Sequence, residues 1–232
     1  MGTRALKNLV TLLVGTVVAL PAAAAAQTLP GRFEIYAGPS FAGGSAVGSR
    51  TATQTENVAG GGSFTFFQTD SRFDGFTGID VRIGVRVLRW LAIEGGFGYA
   101  TPTLRTTVAR DTENAQGGSA IGERLTQYVF DGAGVVLLRQ AAFARGRGVP
   151  FLLGGIGHVR QLDDASAVAE TGRVYHAGAG LKYRFVSRAR GFVKGLGIRG
   201  DGRWVVRDGG IDLGDEGRRG YGAVTVGGFL TF

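Results

Sequence analysis

GIDVRIGVRV (78–87) alternates without exception: Ile79, Val81, Ile83, Val85 and Val87 take one face, Asp80, Arg82, Gly84 and Arg86 the other. A period of two is the signature of a β-strand whose faces meet different surroundings. The polar face is unusual. A strand with one side in water carries a mixture of Lys, Glu and Thr, whereas here glycine sits between charges of both signs.

The same pattern recurs on either side. Arg32 to Phe41 sets Phe33, Ile35, Ala37 and Phe41 against Glu34, Tyr36 and Ser40. Leu91 to Thr101 sets Leu91, Ile93, Phe97 and Tyr99 against Ala92, Glu94, Gly96 and Gly98. Gln127 to Leu138 is less regular, with Tyr128, Phe130, Val136 and Leu138 opposite Asp131. Val149 to Gln161 reads as Phe151, Leu153 and Val159 opposite His158 and Arg160. Tyr175 to Phe185 alternates Tyr175, Ala177, Ala179, Leu181, Tyr183 and Phe185 with His176, Gly178, Gly180, Lys182 and Arg184. Leu196 to Arg207 places Leu196, Ile198, Trp204 and Val206 opposite Arg199, Asp201, Arg203 and Arg207. Tyr221 to Phe232 ends the chain with Val224, Val226, Leu230 and Phe232 on one face. Eight segments of about ten residues each have the length that crosses a bilayer at a tilt.

The connections also alternate. Residues 88–90, 139–148 and 186–195 are shorter on average than 42–77, 102–126, 162–174 and 208–220, which are rich in Gly, Ser, Thr and Asp. Short turns on one rim and long loops on the other are the mark of an outer-membrane barrel, and an even strand count returns both termini to the periplasmic side. The fold predicted is all-β: an eight-stranded antiparallel up-and-down transmembrane barrel with both termini periplasmic.

Before the first segment, residues 1–26 have the organisation of a secretory signal peptide. Arg4 and Lys7 precede an uncharged apolar run, LVTLLVGTVVAL (9–20), then Pro21 and the small residues Ala22 to Ala26. Cleavage is expected after Ala26, leaving 27–232 as the barrel domain. No later segment is a helical span, and in hydrocarbon only a helix or a closed barrel satisfies every backbone polar group. The chain has no cysteine, hence no disulfide and no thiolate metal site. Its 42 glycines follow no collagen period and sit inside the apolar runs.

Which face points outward follows from size. The interior of an eight-stranded barrel is just wide enough for side chains to fill, and glycines beside long charged side chains suit such a lumen. The predicted lumen faces carry Arg82, Arg86, Arg160, Lys182, Arg184, Arg199, Arg203 and Arg207 with Glu34, Asp80, Glu94, Asp131 and Asp201. Buried charges must pair, and these can pair largely among themselves. Trp90, Tyr99, Tyr183 and Trp204 fall near segment ends, where aromatic girdles meet the two interfaces. Removing the signal leaves 24 Lys+Arg against 18 Asp+Glu, yet the four long connections sum to −5. The positive excess therefore lies in the lumen and in the short turns, which speaks against nucleic acid as a partner at the cell surface.

The ending Val224, Val226, Leu230, Phe232 resembles the C-terminal signal by which barrel-assembly machinery recognises its substrates. As a whole, the chain resembles the small outer-membrane β-barrel superfamily of porin-like, OmpA-transmembrane-domain and OmpX-like proteins. Within it, PFLLGGIGHVRQL (150–162), ETGRVYHAGAGLKYRF (170–185) and GLGIRGDGRWVVRDGGIDL (195–213) are similar to an uncharacterised subgroup. The resemblance implies location in the bacterial outer membrane and contact with its lipid and lipopolysaccharide. It also implies assembly-machinery and periplasmic-chaperone partners during biogenesis, and a monomer.

Four motifs tempt a chemical reading. Gly195, Gly197 and Gly200 match a dinucleotide fingerprint, but no helix follows to receive a pyrophosphate. Arg199-Gly200-Asp201 spells an integrin-binding tripeptide in mid-strand. His158 and His176 are the only candidates for a general base, and both read as lumen-facing. Lipid A deacylases of this fold use His-x-Ser, whereas Arg160 and Gly178 occupy the serine positions here. Asp208, Asp212, Asp215 and Glu216 make the last loop acidic without the spacing of a calcium loop. No catalytic, cofactor or metal residue is expected. The function expected is structural, envelope-integrity or surface-interacting, with a narrow channel or carrier and a lipid-modifying enzyme as the alternatives.

Overall fold

The computed structural model describes residues 32–55, 61–111, 120–163, 169–188, 190–209 and 218–232. The signal-peptide and cleavage expectation, and Asp212, Asp215 and Glu216 of the acidic loop, lie outside these residues.

Eight strands form a closed ring. β1 (Phe33–Ala42) pairs on one side with β4 (Phe76–Arg86) and on the other with β11 (Arg219–Thr231). From β4 the sheet continues through β5 (Leu91–Ala100), β7 (Ala120–Leu137), β8 (Gly148–Asp163), β9 (Ala169–Ser187) and β10 (Gly195–Gly209) to β11. Every pair is antiparallel, and because the ring closes through β1 its eight strands leave no free edge within the barrel. The sequence segments and the strands coincide closely. Gly78 to Arg86, for example, lies within β4, with Glu34↔Gly84 and Ile35↔Ile83 on one side and Val81↔Phe97 on the other.

The two faces differ as the alternation requires. Ile83 is 61% exposed on the outside, while Arg82 beside it is 2% exposed inside. Phe33, Ile35, Ile93, Phe97, Ile198, Val224, Val226 and Leu230 form the outward belt with Ile83. Large apolar groups outside and ions inside would be unstable in water. The arrangement fits a barrel whose outer solvent is hydrocarbon.

Two expectations need correction. Connections 42–77 and 102–126 are not coil. They hold β2 (Ser45–Thr55), β3 (Ser63–Phe73) and β6 (Thr103–Asp111), which extend the sheet beyond the barrel in the order β2-β3-β6-β7. Thr- and Ser-rich alternation is weak, but Val47, Phe73, Leu104 and Leu125 close over one another as a small core at the base of this extension. The second correction concerns β8. Phe151, Leu153 and Val159 are buried in the lumen, whereas His158 and Arg160 are exposed outside. Both faces of this strand are apolar, because Leu152 and Ile156 also point outward. His158 and Arg160 stand toward its far end, opposite Phe130 and Tyr128, where a polar group can leave the apolar belt.

At the other rim the connections are tight. A 3-10 turn (Arg139–Ala141) and the bend Phe143 to Gly148 join β7 to β8. In that bend Ala144, Arg145 and Gly146 all have positive φ, 50°, 59° and 79°.

Candidate functional site in the barrel lumen

The lumen is filled in layers. Ala92, Val135, Leu137, Phe151 and Leu153 form an apolar layer toward the short-turn rim. Val159, Val174 and Val205, with Val129, Tyr221 and Ala223, form another nearer the extension. Between them lies a continuous ion-pair network.

The network starts on β1 and ends on β9. Lys182 Nζ donates to Glu34 Oε1 at 2.5 Å and to Glu94 Oε1 at 3.3 Å. Arg199 Nη1 donates to both oxygens of Glu94 at 2.8 Å, and its Nε to Asp201 Oδ1 at 3.1 Å. Arg203 takes the other oxygen of Asp201 at 2.6 Å, then reaches Asp80 at 3.3 Å and Thr225 Oγ1 at 3.4 Å. Arg82 grips Asp80 with Nε and Nη2 (2.7 and 3.1 Å) and Asp131 with Nη1 and Nη2 (both 3.0 Å). His176 Nε2 stands 3.6 Å from Asp131 Oδ1. These bidentate, charge-assisted contacts are the strong kind. Guanidinium faces are used too, with Arg199 over Phe151 (4.7 Å) and Tyr36 (5.2 Å).

Two sequence features make this geometry possible. Residues two apart share a face, so Asp80 and Arg82, or Arg199, Asp201 and Arg203, alternate in sign along one strand and pair locally. Glycines then make room. A methyl group on Gly96 would lie 2.8 Å from Asp131 Oδ1, and one on Gly155 would lie 2.6 Å from His176 Nε2.

Of the thirteen residues expected in a lumen network, nine are joined in this chain: Glu34, Asp80, Arg82, Glu94, Asp131, Lys182, Arg199, Asp201 and Arg203. Arg86 and Arg184 lie toward the short-turn mouth and, among the described residues, form no ion pair with a carboxylate. Arg207 is inside but higher, 5.0 Å over the Phe73 ring and 3.5 Å from Gln127 Oε1, near a Gln161–Gln127 hydrogen bond of 2.9 Å. Arg160 is outside. The apolar inward residues of β7, β8 and β9 were missed, since nothing local distinguishes an inward Phe151 from an outward Leu152.

The tempting motifs resolve in place. Gly195, Gly197 and Gly200 lie along strand β10, and Arg199 and Asp201 of the tripeptide are buried and bonded to each other. Asp208 is exposed, 3.8 Å from Arg218. Val224, Val226 and Leu230 are on the outer face of β11, and the Phe232 ring meets that of Phe192 at 4.9 Å.

A cavity of about 90 Å³ lies over the network, between Asp80, Asp131, His176 and Arg203 and the side chains of Phe76, Val129, Val174, Val205 and Tyr221. A second, of about 10 Å³, lies by Glu34, Arg86 and Lys182. One water needs about 10–15 Å³ of such space, so the first cavity has room for several waters and the second for one at most.

No protein-family model matches the sequence, and neither does any curated protein. Among solved structures the chain is similar to Neisserial surface protein A, at 12% identity and a TM-score of 0.45 over 86% of this chain and 97% of that one. It is similar also to Ail, the attachment invasion locus protein of Yersinia pestis (11%, 0.35, 88% and 100%). A third is the beta domain of the Bordetella autotransporter BrkA (8%, 0.36, 86% and 99%).

Proposed function

We propose that this chain is a non-enzymatic, monomeric, integral protein of the bacterial outer membrane, with an envelope-integrity or surface-interaction role. The observation that carries the reading is the inverted section of the barrel: an apolar belt outside and a lumen closed by nine ion-paired residues inside. Residues 1–26 would direct export and be removed, and Val224, Val226, Leu230 and Phe232 would present the assembly signal. The short-turn rim and both termini then face the periplasm, and the β2-β3-β6-β7 extension faces outward from the cell. The sealed lumen supports a structural role over transport. Two measurements test this. The mature protein should fractionate with outer membrane and migrate faster on gels before boiling than after, and it should leave a planar bilayer non-conducting. Recovery in the soluble periplasm would refute the membrane reading, and steady unitary conductance would refute the structural one.

A further inference from the structure

The short-turn rim holds a built, cationic groove that the lumen network does not use. The bend of positive-φ residues between β7 and β8 projects Arg145 and Arg147 beside the end of β9, and the Arg184 backbone N–H ties the two together through Arg147 O at 3.0 Å. Arg145, Arg147, Arg184, Phe185, Val186 and Ser187 line a groove of about 420 Å³. Among the described residues no carboxylate forms an ion pair with Arg145, Arg147 or Arg184. The Arg184 side chain runs to the lumen side, where a methyl group on Gly195 would lie 3.3 Å from its Nε, so Arg145 and Arg147 supply the charge of the groove. The intervening turns, 139–148 and 186–195, contain no acidic residue at all.

The other wall is apolar and faces outward. A bulge opposite Leu196 and Gly197 turns both Phe185 and Val186 to the outer surface, continuous with the lipid-facing belt. A free anion would be served by the arginines alone and would gain nothing from this wall. An amphiphile would use both, with its phosphate between the guanidiniums and its acyl chain along Phe185 and Val186.

We infer that this groove binds the phosphodiester headgroup of an anionic phospholipid from the leaflet at the short-turn rim. The inference rests on the membrane reading above. Arginine presents a planar fork that suits phosphate, and each basic residue near an anionic lipid surface contributes about fivefold in affinity.

The test uses the full mature barrel in neutral detergent, titrated with phosphatidylglycerol and followed by native mass spectrometry. One phosphatidylglycerol should bind, with phosphatidylcholine and glycerol phosphate both far weaker. The double variant Arg145→Gln/Arg147→Gln should bind it about 25-fold more weakly, and Arg145→Lys/Arg147→Lys should stay within a few fold of the parent. Arg160→Gln, on the outer face toward the opposite rim, should change nothing. Equal retention of phosphatidylglycerol by the double Gln variant overturns the site, and so does equal binding of glycerol phosphate, which would make it a plain anion site. Insertion into phosphatidylcholine bilayers and heat-modifiable migration are scored separately. Their failure in the parent protein sinks the membrane reading, whereas insertion without lipid preference sinks only this groove.

Discussion

Arg199→Met is the sharpest test of the charged lumen. Arg199 is 1% exposed and joins two carboxylates, with Nη1 on Glu94 at 2.8 Å and Nε on Asp201 at 3.1 Å. Methionine keeps much of the volume against Phe151 and Tyr36 and removes the charge. Breaking one partner out of a buried pair typically costs about 3–5 kcal/mol. Here each orphaned carboxylate keeps a second cation, Lys182 for Glu94 and Arg203 for Asp201, which puts the loss near the lower end, about 3 kcal/mol. The network holds four cations (Arg82, Lys182, Arg199, Arg203) against five carboxylates (Glu34, Asp80, Glu94, Asp131, Asp201). Removing Arg199 widens the deficit by one, and adding Glu94→Gln restores it. The double variant should therefore recover on the order of 1 kcal/mol over Arg199→Met alone, despite carrying more damage. By contrast, Ile83→Val removes one methylene from the outer face, where lipid fills the space, at about 0.8 kcal/mol. Urea unfolding from lipid vesicles ranks the three. An Ile83→Val penalty larger than that of Arg199→Met would mean that the faces are assigned the wrong way round.

Gly155→Val should cost about 1–3 kcal/mol in the same assay, because its side chain would meet His176 Nε2 and the Gly132 carbonyl, and native packing gives way only with strain. Arg160→Ala should stay within about 0.5 kcal/mol of the parent, as an exposed residue outside the network; a loss like that of Arg199→Met would return Arg160 to the lumen. In the extension, the Asp74 carboxylate accepts from Arg105 Nε at 2.9 Å, and this bond holds its pKa below the ordinary 3.8. A depressed folded pKa means that the contact contributes above pH 3.8 and is lost as acid protonates the carboxylate. NMR titration should place the Asp74 midpoint below 3.8 and raise it toward that value in Arg105→Gln, with Arg72 at 3.6 Å still lowering it, and identical midpoints would refute the pairing.

The barrel was legible because GIDVRIGVRV and its counterparts carry their two environments in one strand. β8 was not. Phe151 and Leu153 fill the lumen while Leu152 and Ile156 face outward, so periodicity had no contrast to read, and His158 and Arg160 gave the polar label to the wrong face. The extension was hidden for a different reason. Val47, Phe73, Leu104 and Leu125 come from four strands and signal nothing until they meet. The network was legible in membership but not in connection: Arg86 and Arg184 match Arg82 and Lys182 in pattern, yet stand too near the short-turn mouth to find a carboxylate among the described residues.

The pairing that the sequence could not show is also what gives the lumen its purpose in the fold. In a bilayer the outer face is a poor judge of register, since a strand shifted by two residues still presents apolar side chains to lipid. Ions inside are exacting judges. Asp80–Arg82 and Arg199–Asp201–Arg203 are local pairs that survive any shift of their own strand. Glu94–Arg199 joins β5 to β10, Glu34–Lys182 joins β1 to β9, and Arg82–Asp131 joins β4 to β7. None of these three pairs links neighbouring strands in the ring: Arg82–Asp131 reaches over β5, while Glu94–Arg199 and Glu34–Lys182 span the lumen and form only when the barrel is closed in one register. A slip of two residues at any seam would leave outward apolar contact nearly unchanged and strand a carboxylate in the interior, at a cost of several kcal/mol. The belt thus favours insertion without choosing a register, and the network makes the choice. On this argument the ions are retained for specificity more than for net stability, which is the role in which buried polar groups are best attested.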